Sequence, residues 1–158
     1  MENERIFLPF EFKAIDSEDE NVLIGYGAAF DNVDSYGDVI KKGAFKKTIR
    51  ERVKKGVVKL MNSHGYSVDD VLGTIVKAEE DDYGLLFSAA FSKVQSAQDV
   101  RTKMIEGHVN RLSIGFNTVK EHYGNEKSDE NPSLRYLDEI KLYEISPVAF
   151  PANENAVV

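Results

Sequence analysis

The sequence predicts an α+β fold built from mostly antiparallel strands and two main helices. One observation is a hairpin signal, since VLGTIVKAEE and YGLLFSAAF flank an Asp-Asp-Tyr-Gly turn at residues 81–84. A second is a pair of long strand-like segments, residues 111–123 and 134–145, separated by the polar loop 124–133. A third is the presence of two segments in which apolar residues recur at helical spacing. The length of 158 residues and the absence of repeats and of an internal linker favour a single domain over residues 1–158.

The N-terminal part of the chain predicts two strands followed by a turn. Residues 5–15 alternate partly between apolar and polar side chains, and residues 22–30 end in a Gly and Ala pattern. We expect these two strands to pair with each other, and Gly25 and Gly27 to permit a bulge or bend in the second. The segment DNVDSYGD, residues 31–38, is rich in turn-forming residues and predicts a turn.

Two amphipathic helices follow from the apolar spacing. The first lies in GAFKKTIRERVKKG and ends at Gly56, a typical C-terminal stop. Its apolar positions are Phe45, Ile49 and Val53. The second covers residues 94–106 and ends near Gly107. Its apolar side is formed by Val94, Ala97, Val100, Met104 and Ile105.

Composition excludes several classes of protein. The chain has 158 residues, 42% of them hydrophobic, with no apolar run near the roughly 18 residues that a membrane span requires. We therefore expect a soluble globular protein, and the N-terminal MENERIFLPF has the features of neither a signal nor a transit peptide. The absence of cysteine excludes disulfides, thiolate metal ligands and cysteine nucleophiles, and makes a cytoplasmic setting the simplest expectation.

The formal net charge of −7 argues against nucleic-acid binding. Basic residues are scattered or concentrated around the first predicted helix, without interleaved aromatic residues. We interpret that basic cluster as a solvated helix face, with docking to an acidic partner as the alternative. It comprises Lys41, Lys42, Lys46, Lys47, Arg50, Arg52, Lys54 and Lys55.

Three side chains provide the parts of a serine nucleophile relay. Ser113 lies within the strand-like run RLSIGF, and His64 follows the predicted buried strand VVKLMN in a polar loop. Glu144 is a lone acid on an apolar strand. A hydroxyl, an imidazole and a carboxylate form a catalytic triad when geometry brings them together, whatever their order in the chain.

The strand pattern leaves alternatives open for each of these residues. Counted by twos, Ser113 lies opposite the more apolar side of its strand, so a solvated hydroxyl without chemistry is one interpretation. Glu144 lies on the apolar face of the predicted strand 134–145. A carboxylate buried there needs a hydrogen bond from an imidazole or an ion pair with a Lys or Arg side chain. Asp138 has the same parity as Glu144 and competes with it. His122 projects from the face opposite Ser113 unless a bulge intervenes.

Other catalytic and binding motifs are absent from the sequence. It contains no GxSxG elbow, no Walker-type glycine loop and no HExxH motif, which disfavours hydrolase-fold, nucleotide and zinc-peptidase interpretations. DNVDSYGD fails as a calcium loop because Val33 and Ser35 occupy positions that require charged oxygen ligands. We expect neither a metal ion nor a cofactor.

Six segments occur in an order and spacing that are specific as a set, although each is weak alone. They are GYGAAFDNVDSYGDVIKKGAF at 25–45, LMNSH at 60–64, VLGTI at 71–75, DDYGLLFSAAF at 81–91, RLSIGF at 111–116 and LYEISPVAFPAN at 142–153. Together they resemble the tailed-phage prohead (capsid maturation) serine proteases, whose fold is related to that of the herpesvirus assemblin proteases. The resemblance covers nearly the whole chain.

This resemblance implies a fold and a set of roles. The fold would be a closed or partly closed β-barrel with two flanking helices, similar to herpesvirus proteases. His64 would be the base, Ser113 the nucleophile and Glu144 the third member. Assemblin-type relatives use a second histidine as third member, so His122 and Asp138 stay open as alternatives to Glu144.

The resemblance also implies a function. The chain would be a serine endopeptidase that cleaves scaffold segments during prohead maturation and also trims itself, in the host bacterial cytoplasm and inside the prohead. Its partner would be the major capsid protein or a scaffolding protein, with no nucleic acid and no membrane. Assemblin relatives pair, so a homodimer or higher oligomer is expected by analogy alone.

Two other classes of function compete with the protease. A catalytically inactive capsid-assembly or scaffold-binding module of the same fold would lack hydrogen-bond reach between Ser113 and His64. An unrelated ligand-binding β domain would show a deep apolar pocket remote from Ser113.

Oxyanion donors are expected near Ile114 to Phe116 or Val148 to Phe150. Relatives extend past the FPAN element, so an end at Val158 reflects self-processing, truncation or a naturally short member.

Overall fold

The described strands form one mixed sheet. A computed structural model of the chain describes residues 4–8, 14–15, 21–34 and 36–150, with the backbone alone for the first two ranges. The strands are β1 Glu4–Leu8, β2 Ala14–Ile15, β3 Val22–Ala29, β4 Asp38–Ile40, β5 Lys59–Met61, β6 Val71–Glu80, β7 Gly84–Phe91, β8 Arg111–Tyr123 and β9 Arg135–Val148. Their order in the sheet is β1-β8-β9-β5-β6-β7-β3-β2, and β4 pairs with β9 off this path.

Two hairpins organise this sheet. The turn between β6 and β7 is closed by Asp81, whose Oδ1 accepts hydrogen bonds from the N–H groups of Tyr83 and Gly84 at 2.8 and 2.9 Å. The β8–β9 pair is antiparallel and is joined through the polar loop, which contains a 3-10 turn at Glu126–Ser128. Both hairpins are as predicted, although β9 continues three residues past the expected end, to Val148.

The sheet curls into a half-barrel, and this curvature brings β3 close to β8 and β9. A Cβ placed at Gly25 would lie 3.2 Å from Leu112 Cδ1 on β8, and one at Gly27 would lie 3.1 Å from Ile145 Cδ1 on β9. Glycine thus permits this close approach of strands. β3 also shifts register between Tyr26 and Ala28, which is the irregularity that the glycine spacing predicts.

Three pairings differ from a simple succession of hairpins. β4 and β5 both pair with β9 in parallel. β1 pairs with β8, so the expected pairing of residues 5–15 with 22–30 is right for Ala14–Ile15 and wrong for Glu4–Leu8. Residues 9–13 of the predicted first strand lie outside the described residues. β4 falls where the sequence predicts turn and loop, and it was missed because it is three residues long.

The two helices flank the sheet in shorter form than predicted. α1 covers Lys46–Glu51 and gives way to a 3-10 turn at Val53–Lys55, which ends at Gly56 with φ 69°. α2 covers Gln95–Ile105 and ends before Gly107, where φ is 82°. Both glycines occupy the left-handed region that terminates helices. On α2, Ala97 and Met104 are buried as expected, whereas Val94 and Ile105 are about half exposed.

Candidate active site

The β8–β9 register brings a serine and an acid to one face of the sheet. Ser113 on β8 lies opposite Ser146 on β9, and Gly115 lies opposite Glu144. Directly opposed residues of an antiparallel pair point to the same face, as do residues two apart on one strand. All four positions therefore share a face, with Glu144 diagonal to Ser113.

His64 reaches this face from the loop that follows β5. β5 pairs with β9 in parallel, so the chain leaving β5 runs alongside the end of β9. Ser63 and His64 both adopt left-handed backbone, with φ of 49° and 61°. This conformation is held by hydrogen bonds from the Ser63 N–H to the Pro147 carbonyl at 3.2 Å and from the His64 N–H to Ser146 Oγ at 3.0 Å. Left-handed backbone is costly for residues other than glycine, and it persists where surrounding contacts impose it.

The imidazole of His64 joins the acid to the alcohol. Its Nδ1–H donates to Glu144 Oε1, and its Nε2 lies 2.8 Å from Ser113 Oγ. The second carboxylate oxygen, Oε2, accepts a hydrogen bond from Ser146 Oγ at 2.6 Å. Because the carboxylate accepts a hydrogen bond from Nδ1–H, it selects the tautomer whose Nε2 lone pair faces the Ser113 hydroxyl.

The whole relay is buried. His64, Ser113 and Glu144 expose 5%, 0% and 2% of their surface. The interpretation of Ser113 as a solvated hydroxyl is therefore wrong, because this part of β8 is covered on both faces.

Glu144 is hydrogen-bonded by an imidazole and not by a lysine. Lys59 lies opposite Glu144 in the β5–β9 pairing, but its Nζ donates to the Gly56 carbonyl at 2.6 Å. An unpaired buried carboxylate would be strongly destabilising. His64 and Ser146 each donate a hydrogen bond to Glu144, so this carboxylate is not left unpaired.

The two alternatives for the third position lie elsewhere on the hairpin. His122 Nδ1 lies 2.5 Å from Asp138 Oδ2, and its Nε2 lies 2.8 Å from Glu130 Oε2. These carboxylates, Asp138 first, raise the pKa of His122 above its usual value. At about 3.3 Å per residue, His122 lies nine residues, or up to about 30 Å, from Ser113 along β8. Neither His122 nor Asp138 joins the buried relay.

Two residues of the site went unnoticed in the sequence. Sequence pattern alone does not single out Ser146, although it has the same parity as Glu144 and precedes a proline that cannot continue a regular ladder. Gly115 was read as part of a strand, but a Cβ there would lie 2.3 Å from Glu144 Oε1. The glycine therefore provides the space that the carboxylate occupies. The sequence signal for this role is the position of Gly115, two residues after the candidate nucleophile Ser113 and therefore on the same face of the strand.

The acidic loop before β4 has a structural role. Asp34 Oδ1 accepts hydrogen bonds from the N–H groups of Tyr36 and Asp38, each at 2.8 Å, and Arg135 forms an ion pair with Asp38. These contacts make a tight turn. Within the described residues, no group of three or more His, Cys, Asp or Glu side chains is arranged to hold a metal ion. No helix in that part of the chain has both the length and the apolar character to cross a membrane.

A buried alcohol, imidazole and carboxylate in hydrogen-bonded series are the arrangement of a serine hydrolase. Here they lie on a curled mixed sheet with two helices, at a point where three strands and one strained loop converge.

Comparison with known proteins specifies the family. The chain belongs to the Caudovirus prohead serine protease family, whose model matches residues 9–158. It is 32% identical over 148 residues to the prohead protease of Enterobacteria phage HK97, covering 92% of this chain and 62% of that protein. Its fold is similar to that of the bacteriophage T4 capsid assembly protease, with a TM-score of 0.64 and 11% identity over 95% of this chain and 96% of that one. The predicted family is thus confirmed.

Proposed function

We propose that this chain is a serine endopeptidase in which Ser113 is the nucleophile, His64 the general base and Glu144 the acid that orients the base. The observation that carries the proposal is the 2.8 Å contact between His64 Nε2 and Ser113 Oγ. A nucleophile and its base must lie within hydrogen-bond reach, and a third group must orient the base. Glu144 meets the second condition through Nδ1.

The reaction follows from these contacts. As Ser113 Oγ attacks the peptide carbonyl carbon, its proton passes to His64 Nε2, and Glu144 stabilises the imidazolium that forms. The tetrahedral intermediate then expels the amine, which takes the proton from Nε2 and leaves an acyl-enzyme. Water, deprotonated by the same imidazole, hydrolyses the ester and returns the proton to Ser113.

The oxyanion donors expected in β8 are constrained by its position. Ile114 and Gly115 have paired neighbours on both sides, in β1 and in β9. Backbone N–H groups of an interior strand are taken up by the ladder and are not available to a substrate. Of the other expected region, Val148 to Phe150, Val148 is also paired, with Arg111, so this favours Ala149 and Phe150 just past the end of β9.

The substrate class is a proposal that rests on family membership. We propose that the protease cleaves scaffold segments, in a scaffolding protein or in the scaffold domain of the major capsid protein, and that it also cleaves itself. It would act within the prohead, in the host bacterial cytoplasm. We further propose a single protease domain over residues 1–158, related in fold to the herpesvirus proteases. The support is that one sheet and one apolar core contain the described strands.

One observation favours a second candidate function. Ser113 exposes none of its surface. This closed site fits a catalytically inactive capsid-assembly or scaffold-binding module of the same fold, whereas the hydrogen-bond reach between Ser113 and His64 disfavours that module.

Cleavage of the cognate capsid or scaffold protein tests the proposal. The purified chain is mixed with that protein and fragments are followed by gel electrophoresis and mass spectrometry. We expect cleavage by the wild type and none by Ser113→Ala, with both proteins equally folded by circular dichroism. Cleavage by the alanine variant at the wild-type rate would remove Ser113 from the mechanism. A wild type that binds the substrate and never cleaves it would establish the inactive module.

A further inference from the structure

Ser146 contacts both residues of the His64–Glu144 pair. Its Oγ donates to Glu144 Oε2 at 2.6 Å and accepts from the backbone N–H of His64 at 3.0 Å. It is completely buried and lies directly opposite Ser113 in the β8–β9 register. A buried hydroxyl with both a donor and an acceptor partner has a defined orientation.

The proton of Ser146 is committed to the carboxylate. A serine hydroxyl has one proton to donate, and here Glu144 accepts it. Ser146 is consequently a poor nucleophile despite its place beside the relay. Ser113, by contrast, faces the Nε2 atom that can accept its proton.

The acceptor side of Ser146 supports the strained histidine loop. His64 has φ 61° without being a glycine, a conformation that requires external contacts to persist. Its N–H is bound by Ser146, and the preceding N–H, of Ser63, is bound by the Pro147 carbonyl. Two consecutive residues of β9 therefore hold two consecutive residues of the loop.

We propose that Ser146 is a positioning residue of the relay: its one hydroxyl fixes the Glu144 carboxylate and the His64 backbone relative to each other. This inference rests on the proposed function. Without the hydroxyl, Glu144 loses one of its two donors and the His64 N–H is left buried without its acceptor. The imidazole then occupies the reactive geometry for a smaller fraction of the time.

Reaction with a fluorophosphonate probe measures this effect at Ser113. The probe forms a bond between Oγ and phosphorus, expels fluoride and passes the Ser113 proton to His64 Nε2, so it reports the relay without a known cleavage sequence. For Ser146→Ala we expect the maximal inactivation rate constant, kinact, to fall by about 10- to 100-fold, the scale of a misplacement near 1 Å. The apparent dissociation constant of the probe, KI, is expected to stay unchanged.

Ser146→Thr restores the hydroxyl and is expected to react faster than Ser146→Ala. Ser146→Cys keeps the size of the side chain with a weak S–H donor, and it gives the same comparison if the alanine variant does not fold. Mass spectrometry of the labelled peptide confirms that the probe is attached to Ser113 in each protein.

Thr48→Val is the matched control. Thr48 is also a buried hydroxyl that accepts an N–H from β9, that of Leu142 at 2.9 Å, but it contacts no member of the relay. The valine variant is expected to lose stability with no change in kinact. An equal loss of kinact in both variants at equal stability would reduce Ser146 to a structural residue and overturn the inference.

A double-mutant cycle separates positioning through Glu144 from any independent effect. If Ser146 acts through the carboxylate, Ser146→Ala lowers kinact less in the Glu144→Gln background than in the wild type. Full additivity, or wild-type kinact in Ser146→Ala, contradicts the inference while leaving the protease assignment intact. A wild type that neither reacts at Ser113 nor cleaves its cognate substrate overturns the proposed function itself.

Discussion

The β8–β9 hairpin carries two histidine clusters that use the same chemical groups in opposite surroundings. At one end, His64 is buried between Glu144 and Ser113, with its side chain 4% exposed. At the other, His122 lies between Asp138 and Glu130, with its side chain 39% exposed. Each imidazole has a partner on both ring nitrogens.

The clusters differ in the group that hydrogen-bonds the Nε2 atom of each imidazole. His122 has a carboxylate on each nitrogen, and the hydrogen bonds to Asp138 and then Glu130 raise its pKa. The ring also stacks on Tyr136 at 5.1 Å. His64 has one carboxylate and one hydroxyl, so one nitrogen is oriented and the other can accept a proton. An imidazole between two acids stabilises structure, whereas one between an acid and an alcohol is suited to catalysis.

The largest expected effect comes from removing each histidine in turn. His64→Ala is expected to lower the rate of substrate cleavage by about 10⁴-fold or more, because the base of a serine relay acts as a unit with its nucleophile. His122→Ala, up to about 30 Å away along the strand, is expected to cleave at the wild-type rate. Fragment formation from the cognate capsid or scaffold protein gives both rates. Loss of cleavage in His122→Ala with retention in His64→Ala would exchange the roles of the two clusters.

The carboxylates provide the next comparison. Glu144→Gln preserves shape but gives the imidazole an amide partner, and we expect kcat to fall by up to about 10⁴-fold, as for other triads whose acid becomes an amide. Asp138→Asn makes the same chemical change in the exposed cluster and should leave kcat unaltered. Steady-state kinetics on the cleaved substrate measures both. Equal activity of Glu144→Gln and the wild type would place the orienting role on another residue.

Gly115→Ala tests the space beside Glu144. The added Cβ would lie 2.3 Å from Glu144 Oε1, so the carboxylate must move away from the His64 ring. A displacement of about 1 Å in such a group costs about 100-fold in rate. Gly56→Ala is the control. An alanine there is strained by the φ of 69°, but its Cβ would meet no atom within 4 Å. We expect Gly56→Ala to lose stability and keep its activity, and a matching loss of activity in both would assign the Gly115 effect to general destabilisation.

The smallest effect is the pH dependence of the exposed cluster. The folded pKa of His122 is raised, chiefly by the Asp138 hydrogen bond and then by Glu130. Its contribution to stability is therefore fully present below the unfolded pKa, about 6.5, and is lost as pH rises through the higher folded value. For an exposed pair we expect about 0.2–1 kcal/mol.

Urea unfolding of the wild type and His122→Ala at a series of pH values measures this contribution. The difference in unfolding free energy between the two proteins should shrink as the pH rises from 5.5 through the raised folded pKa of His122. A difference that is constant with pH would show that the ion pairs of His122 do not contribute through its charge.

Local sequence pattern was sufficient for many of the secondary-structure elements. The β6–β7 hairpin, the β8–β9 hairpin and α2 all correspond to predicted segments, because turn residues and apolar spacing act over a few positions. The prediction of α1 was correct in place and wrong in length. Its C-terminal part tightens into a 3-10 turn after Arg52, whose Nε donates to the Leu142 carbonyl.

Pairings between distant segments could not be predicted in the same way. β1 joins β8, and β4 and β5 join β9 in parallel, across separations of about a hundred residues. No periodicity encodes such a partner, since a strand edge offers the same N–H and C=O groups to any neighbour. For the same reason the strand parity of Ser113 predicted a solvated face, which the half-barrel instead covers.

Residue chemistry alone nominated a hydroxyl, an imidazole and a carboxylate, since few side chains can serve in those roles and this chain has three histidines. Separating Glu144 from Asp138 and His122 as the partner of His64, and recognising Ser146 and Gly115 beside it, required the folded sheet. The parallel pairing of β5 with β9 delivers the histidine loop to the acid, and the antiparallel pairing of β8 with β9 delivers the alcohol. Distances of a few ångströms between residues 49 and 80 positions apart arise from packing that local pattern does not contain.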